Sequence, residues 1–210
     1  MGCPVPFFGR IDSYKPLIFT LGSNPSDREF LSNGKPVSPS RFLNPSLSYT
    51  SKDLFEVCCH YFNNNPYKGW FGNKGGAKVE GFLNVIRKDA SYYGCKSYQA
   101  IHVDLIPFPT LAKYSCFKVC HPTHISRMLS LGKDLLDILI NDYQPEGIIC
   151  IGMESCSSLK NAGKRKTAGR SFHYYKGSIN GVKAFGTTVY YPNPYGSTPL
   201  DWKNDLVPLM

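Results

Sequence analysis

The sequence predicts a three-layer α/β/α domain around a central, mostly parallel, four-stranded sheet. Three observations carry that expectation. Four apolar runs, Leu17 to Leu21, Ala100 to Ile106, Gly147 to Ile151 and Val182 to Tyr190, are rich in branched and aromatic side chains and read as strands. Helical patterns fill the gaps between them, and alternation of strand with helix is the signature of a parallel sheet covered by helices. The 210 residues suffice for one sizeable core and show no internal repeat, so 1–210 is expected to be a single domain.

The first strand runs straight into Gly22-Ser23-Asn24-Pro25-Ser26. In open α/β sheets, ligands bind in the crevice beyond the carboxyl ends of the strands. Gly22 permits a close backbone approach, Asn24 offers an amide that both donates and accepts, and Pro25 fixes the turn. An ordinary strand-to-loop turn would use the same residues. Further on, Ser51 to Phe62 puts Leu54, Phe55, Cys58, Cys59 and Phe62 on one helical face, with Thr50 or Ser51 as its cap. Thr123 to Tyr143 carries a stripe of Ile125, Met128, Leu129, Leu135, Leu136 and Leu139, with Pro145 beyond its end. A short third helix is expected after Gly152, ending near Asn161. In "FHYYKGSINGVKAFG" the pair Asn180-Gly181 sits between alternating residues, which is a hairpin signal. Leu31 to Pro45 and Asn63 to Tyr92, rich in glycine and asparagine, read as long ordered loops over the active edge.

A formal charge of +9 is expected of a protein that meets a polyanion, nucleic acid first. Five of the basic residues fall in "KNAGKRKTAGR", Lys160 to Arg170, which reads as a loop. Lys164, Arg165 and Lys166 are its candidate phosphate contacts, against the plainer role of a solvated surface. No stretch is long and apolar enough to cross a membrane. The opening "MGCPVPFFGRIDSYK" has neither the apolar core of a signal peptide nor the Ser/Thr of a myristoylation site, so a cytosolic location is expected. The eight cysteines contain no Cys-x-x-Cys, and buried free thiols are the expected state. "CFKVCHPTH", Cys116 to His124, is the one segment with metal-binding residue types, at loose spacing. No metal, cofactor or obligate protein partner is expected.

Loops after the first, second and fourth predicted strands carry "GSNPS", "HVDLIPF" (His102 to Phe108) and "YPNPYGS" (Tyr191 to Ser197). In a parallel sheet they open on one side. With these motifs in this order, the chain resembles the uracil-DNA glycosylase superfamily, in which a Gly-x-(Asp/Asn)-Pro loop follows the first strand and a (His/Asn)-Pro-Ser-containing loop follows the last. Gly22 to Ser26 is similar to the mismatch-specific form, whose catalytic position is an asparagine, here Asn24. Asn193-Pro194-Tyr195-Gly196-Ser197 resembles the second motif of that branch. Aligned on the His-Pro-Ser-Pro form instead, Tyr191 replaces the histidine, so Tyr191 and Asn193 both stand as candidates to face the leaving base, with Asn193 preferred. The cysteine spacing of the iron–sulfur branches is missing.

The resemblance implies a uracil-DNA glycosylase-like fold and a monofunctional enzyme that flips a base from DNA and hydrolyses its glycosidic bond. Asn24 cannot take up a proton near neutral pH, but it can orient a water and turn its carbonyl dipole toward the positive sugar. Tyr195, on a tight loop with Pro194 and Gly196, is the candidate wedge into the vacated duplex, or a packed or hydrogen-bonded loop tyrosine, with Gly196 and Ser197 as further candidate DNA contacts. The resemblance also assigns base reading to Asp104, where uracil-specific branches use asparagine. A carboxylate only accepts and so favours the exocyclic amine of cytosine, and a buried, protonated Asp104 could also donate to the unprotonated ring nitrogen. The alternative is that Asp104 caps a turn or pairs with His102 or a lysine. Ser26 replaces a bulky tyrosine that shields the methyl-bearing edge of the base, and it also has the option of capping a helix at Asp27. Phe42 stands near the family's stacking aromatic, with Phe30 in reserve. An open pocket with an acceptor suits a five-substituted cytosine such as those in the DNA of some bacterial viruses. Repair of uracil or mispaired bases and non-catalytic DNA binding are the alternatives.

Overall fold

In a computed structural model, the residues described are 4–12, 14–37, 41–42, 50–74, 78–94, 96–110, 114–166 and 173–187. β1, Leu17–Gly22, is buried along its whole length because it has a strand on either side and covering layers on both faces. Its parallel neighbours are β5, Tyr98–Asp104, and β6, Gly147–Ile151, and β6 pairs in parallel with β9, Val182–Thr187. The four strands expected from sequence are therefore the contiguous parallel centre of the sheet. Among the described residues the sheet itself has seven strands where four were expected, and β2, Leu31–Ser32, and β3, Lys35–Pro36, form a separate antiparallel pair in a stretch expected to be loop. β4, Ala90–Ser91, adds a short parallel strand beyond β5. β8, His173–Ile179, and β7, Lys160–Lys166, extend the other side as an antiparallel pair beyond β9. The domain is thus α/β with a mostly parallel sheet flanked by helices, consistent with three layers.

The hairpin between β8 and β9 turns at Asn180-Gly181, both at positive φ (49° and 83°) as the signal requires. Lys160–Lys166, expected as a loop, is a strand. Lysine, asparagine and glycine are poor strand formers in isolation, and pairing with β8 overrides that preference.

α1, Ser51–His60, begins at Thr50, whose hydroxyl accepts from the Asp53 N–H while the Asp53 carboxylate accepts from the Thr50 N–H. Thr50 is one of the two caps expected there, and the reciprocal bond from Asp53 makes it a capping box. The chain then tightens into a 3-10 turn, Tyr61–Asn63. α2, Lys78–Ile86, falls in a stretch expected to be loop, and Val79, Phe82, Leu83 and Ile86 are buried along its inner face. The glycine-rich approach to it hides a spacing that is helical in itself. α3, Tyr114–Cys120, was not expected either. α4, Pro122–Tyr143, opens with its proline in the first turn and closes at Gln144 in the left-handed region (φ 43°). The helix after Gly152 is shorter than expected: α5 is Met153–Cys156.

α4 crosses directly over the loop that leaves β5. A Cβ on Gly132 would stand 1.7 Å from the Leu105 carbonyl oxygen, so only glycine allows this approach. Cys116 and Cys120 are exposed on α3, and Cys58, Cys150 and Cys156 are buried free thiols. Among the described residues no helix is long and apolar enough to cross a membrane, and no group of three or more His, Cys, Asp or Glu is placed to hold a metal.

Candidate active site

Parallel pairing brings the ends of β1 and β5 level, and their last register pair is Gly22 with Asp104. A Cβ on Gly22 would lie 2.4 Å from Asp104 Oδ1 and 2.8 Å from His102 Nε2, which is why the motif begins with glycine. The two loops that follow are joined by backbone hydrogen bonds, from Leu105 N–H to the Gly22 carbonyl (3.1 Å) and from Ile106 N–H to the Ser23 carbonyl (3.0 Å). The Ser23 hydroxyl oxygen is buried without a partner among the described residues.

The Asn24 side chain is half-buried and fixed by both of its donors. Nδ2 donates to the Pro25 carbonyl (2.9 Å) and to Thr110 Oγ1 (3.0 Å). A carbonyl oxygen only accepts, so the amide cannot be flipped, and Oδ1 accepts from no described residue. Thr110 reaches this position through a parallel bridge to Ser26. Ser26 itself takes the capping option: its hydroxyl accepts from Arg28 N–H (3.2 Å) and starts the 3-10 turn Asp27–Glu29.

Asp104 is buried and lies 3.3 Å from His102 Nε2, also buried. His102 Nδ1 shares a hydrogen bond with Thr20 Oγ1 (2.9 Å), which in turn meets the Tyr92 hydroxyl (2.6 Å). Tyr92 N–H donates to the Glu80 carboxylate (3.2 Å), which also accepts from Ser91 Oγ (2.7 Å). This buried polar chain runs through the sheet and holds Asp104 from behind. The pairing with His102 weighed from sequence is present, while Oδ2 accepts from no described residue.

Phe42 is buried, and its ring stacks with Tyr61 (4.9 Å) and Phe30 (5.6 Å). Phe42 is a core aromatic, and the half-buried Phe30 is the member of the stack with surface left to offer. Sequence reasoning missed Thr110, and it missed Glu29 as well. Glu29 is buried, and burial pushes its carboxyl up to about 8 from an ordinary 4.5, opposed by the hydrogen bond from the Tyr61 hydroxyl (2.6 Å) and the Arg41 charge and aided by the Asp104 charge.

Asn193, Tyr191, Tyr195, Gly196 and Ser197 lie outside the described residues. β9 runs parallel to β6, so its carboxyl end points to the same side as Gly22 and Asp104. Lys164, Arg165 and Lys166 are on β7, three sheet positions beyond β6. A small cavity lined by Ile18, Arg87, Glu146, Gly147 and Lys183 is at the opposite, amino-terminal end of the strands and is bridged by the Arg87–Glu146 ion pair (3.7 Å). It is no part of this site. Compared with protein-family models and with curated proteins, the chain matches none.

Proposed function

We propose that the protein is a monofunctional DNA glycosylase of uracil-DNA glycosylase-like fold that excises a five-substituted cytosine, such as a hydroxymethylated or glucosylated one, and leaves an abasic site. Its setting would be defence against viruses whose DNA carries such bases. The observation that carries this reading is the juxtaposition of a fixed amide carbonyl at Asn24 with a buried acceptor at Asp104, across the level ends of two parallel strands.

The chemistry follows from the bond. The glycosidic bond between C1′ and N1 breaks with its electrons going to the base, and water adds to C1′ while its proton is released to balance the departing anion. Asn24 Oδ1, left as the acceptor by the Nδ2 bonds to Pro25 and Thr110, orients the water and faces the positive sugar. Asp104 accepts from the exocyclic amine, an edge remote from N1 and O2 where the negative charge collects. Asn193 is assigned to that charge by the motif, and flipping the base out costs a few kcal/mol that binding must supply.

The direct test is incubation with oligonucleotides bearing uracil, cytosine or five-substituted cytosines, followed by alkali. Breaks at the substituted cytosines alone are expected, and intact strands throughout would leave a DNA-binding protein. Asp104→Asn should shift the ratio of single-turnover rates on uracil and substituted cytosine by roughly ten- to a hundredfold toward uracil, because one matched polar contact in a buried site is worth ~1–3 kcal/mol. Equal losses on both substrates would make Asp104 a partner of His102 and nothing more.

DNA affinity should fall steeply with salt, and replacing Lys164, Arg165 and Lys166 together by alanine should flatten the slope of log K against log salt by about 2–3. An unchanged slope would return that strand to plain solvent-facing surface.

A further inference from the structure

Glu29 ends the 3-10 turn that follows the Asn24 loop, and it is only 2% exposed. Tyr61 donates to its Oε2, and the Tyr61 hydroxyl accepts in turn from the Tyr67 N–H (2.8 Å). Tyr61 and His102, the neighbour of Asp104, contact the same two rings. Phe8 lies 5.0 Å from Tyr61 and 5.6 Å from His102, and Phe71 lies 5.6 Å and 5.3 Å from them. The carboxyls of Glu29 and Asp104 are thus hung from one aromatic wall. Among the described residues nothing hydrogen-bonds to Glu29 Oε1 or Asp104 Oδ2.

We propose that Glu29, as a neutral acid, is a specificity-determining residue that donates to the ring nitrogen N3 of a cytosine-class base while Asp104 accepts from the exocyclic amine. The inference rests on the glycosylase reading above and supplies what that reading lacks. The amine and N3 of cytosine present a donor beside an acceptor, and a carboxylate at Asp104 can answer only the first. Two ionised carboxylates would offer acceptors alone and would repel each other. Of the groups facing Glu29, the Tyr61 hydrogen bond and the Arg41 charge favour its ionised form, and burial together with the Asp104 charge outweighs them. Tyr61 stays a neutral donor, since burial and the nearby Glu29 hold its hydroxyl well above 10. Arg41 has its guanidinium turned to the Arg28 carbonyl (2.8 Å) and over the Tyr67 ring. Asp104, the remaining carboxyl, disfavours a second negative charge, and with its carboxyl at about 8 Glu29 keeps its proton at neutral pH. Uracil reverses the pattern: its O4 would face an acceptor and its N3–H a donor.

The test measures binding to duplexes carrying 2′-fluoro-5-hydroxymethyldeoxycytidine, in which the fluorine suppresses cleavage, relative to an unmodified duplex. For the wild type, preference for the modified duplex should fall roughly tenfold or more between pH 7 and 9.5. Glu29→Gln keeps a donor at every pH and should hold the preference flat across that range. Glu29→Ala should have lost it already at pH 7. A wild-type preference that is absent or flat with pH, or one that survives in Glu29→Ala, overturns the proposal. Base release from the 2′-deoxy substrate is scored separately. Cleavage indifferent to Glu29 would sink this assignment and leave the glycosylase standing, whereas Glu29-dependent binding without any abasic product would do the reverse.

Discussion

Asn24→Ala should slow single-turnover base release by roughly a hundred- to a thousandfold while leaving the Kd for DNA within a few-fold. The size follows from the loss of one preorganised dipole aimed at charge that develops only in the transition state. The separation of the two readouts follows from the geometry, because Asn24 Nδ2 is already spent on Pro25 and Thr110 and only Oδ1 is left to act. Thr110→Val keeps the shape of the loop and removes one of the two acceptors, so it should give a smaller loss, about tenfold, in the same rate. Wild-type cleavage by Asn24→Ala would take the residue out of the mechanism, and a parallel collapse of DNA binding would make it a structural staple.

Gly132→Ala should destabilise the protein by about 3–5 kcal/mol, against the ~1 kcal/mol that alanine ordinarily gains over glycine inside a helix. The added Cβ would stand 1.7 Å from the Leu105 oxygen and 2.7 Å from its carbonyl carbon, and both are backbone atoms that no rotamer change can move. Either α4 lifts from the sheet or the loop behind Asp104 shifts, and overpacking of this kind exceeds the usual side-chain case. A drop in Tm on the order of 10 °C is expected for a chain this long. A melt at or above the wild-type temperature would mean that α4 does not cross at this point. Because the displaced loop begins one residue after Asp104, the fraction that still folds should also lose its preference among bases.

The parts of the fold legible in the sequence are those whose signal is local. The runs at Leu17, Ala100, Gly147 and Val182 announce central strands because strands buried on both faces need unbroken apolar sequence. The caps at Thr50 and Ser26 and the turn at Asn180-Gly181 are equally local. The lysine-rich β7 was hidden because its pairing with β8 is decided by tertiary structure and not by its own residues. In the site, Gly22, Asn24 and Asp104 were legible because strand ends and parallel register bring them together. Glu29 and Thr110 were not. Thr110 bonds Asn24 from 86 positions away, and Glu29 becomes a buried acid only when Tyr61, 32 positions later, folds over it. A glutamate in "SDREF" is, by itself, indistinguishable from one facing water.

β7 is the last strand on its side of the sheet, which leaves one row of its backbone N–H and C=O groups without a neighbouring strand in the described sheet. Such a row is a template for pairing with another molecule, and lysines along an edge strand are a common safeguard against it. With Lys160, Lys164, Arg165 and Lys166 in its sequence, this edge strand is expected to resist self-association, whatever those residues do with phosphate. A variant stripped of three of these charges should be checked by light scattering before its DNA affinity is interpreted. Growth of oligomers in it would reveal a solubility function of the same residues, one that high salt, by screening the repulsion, should weaken in the wild type as well.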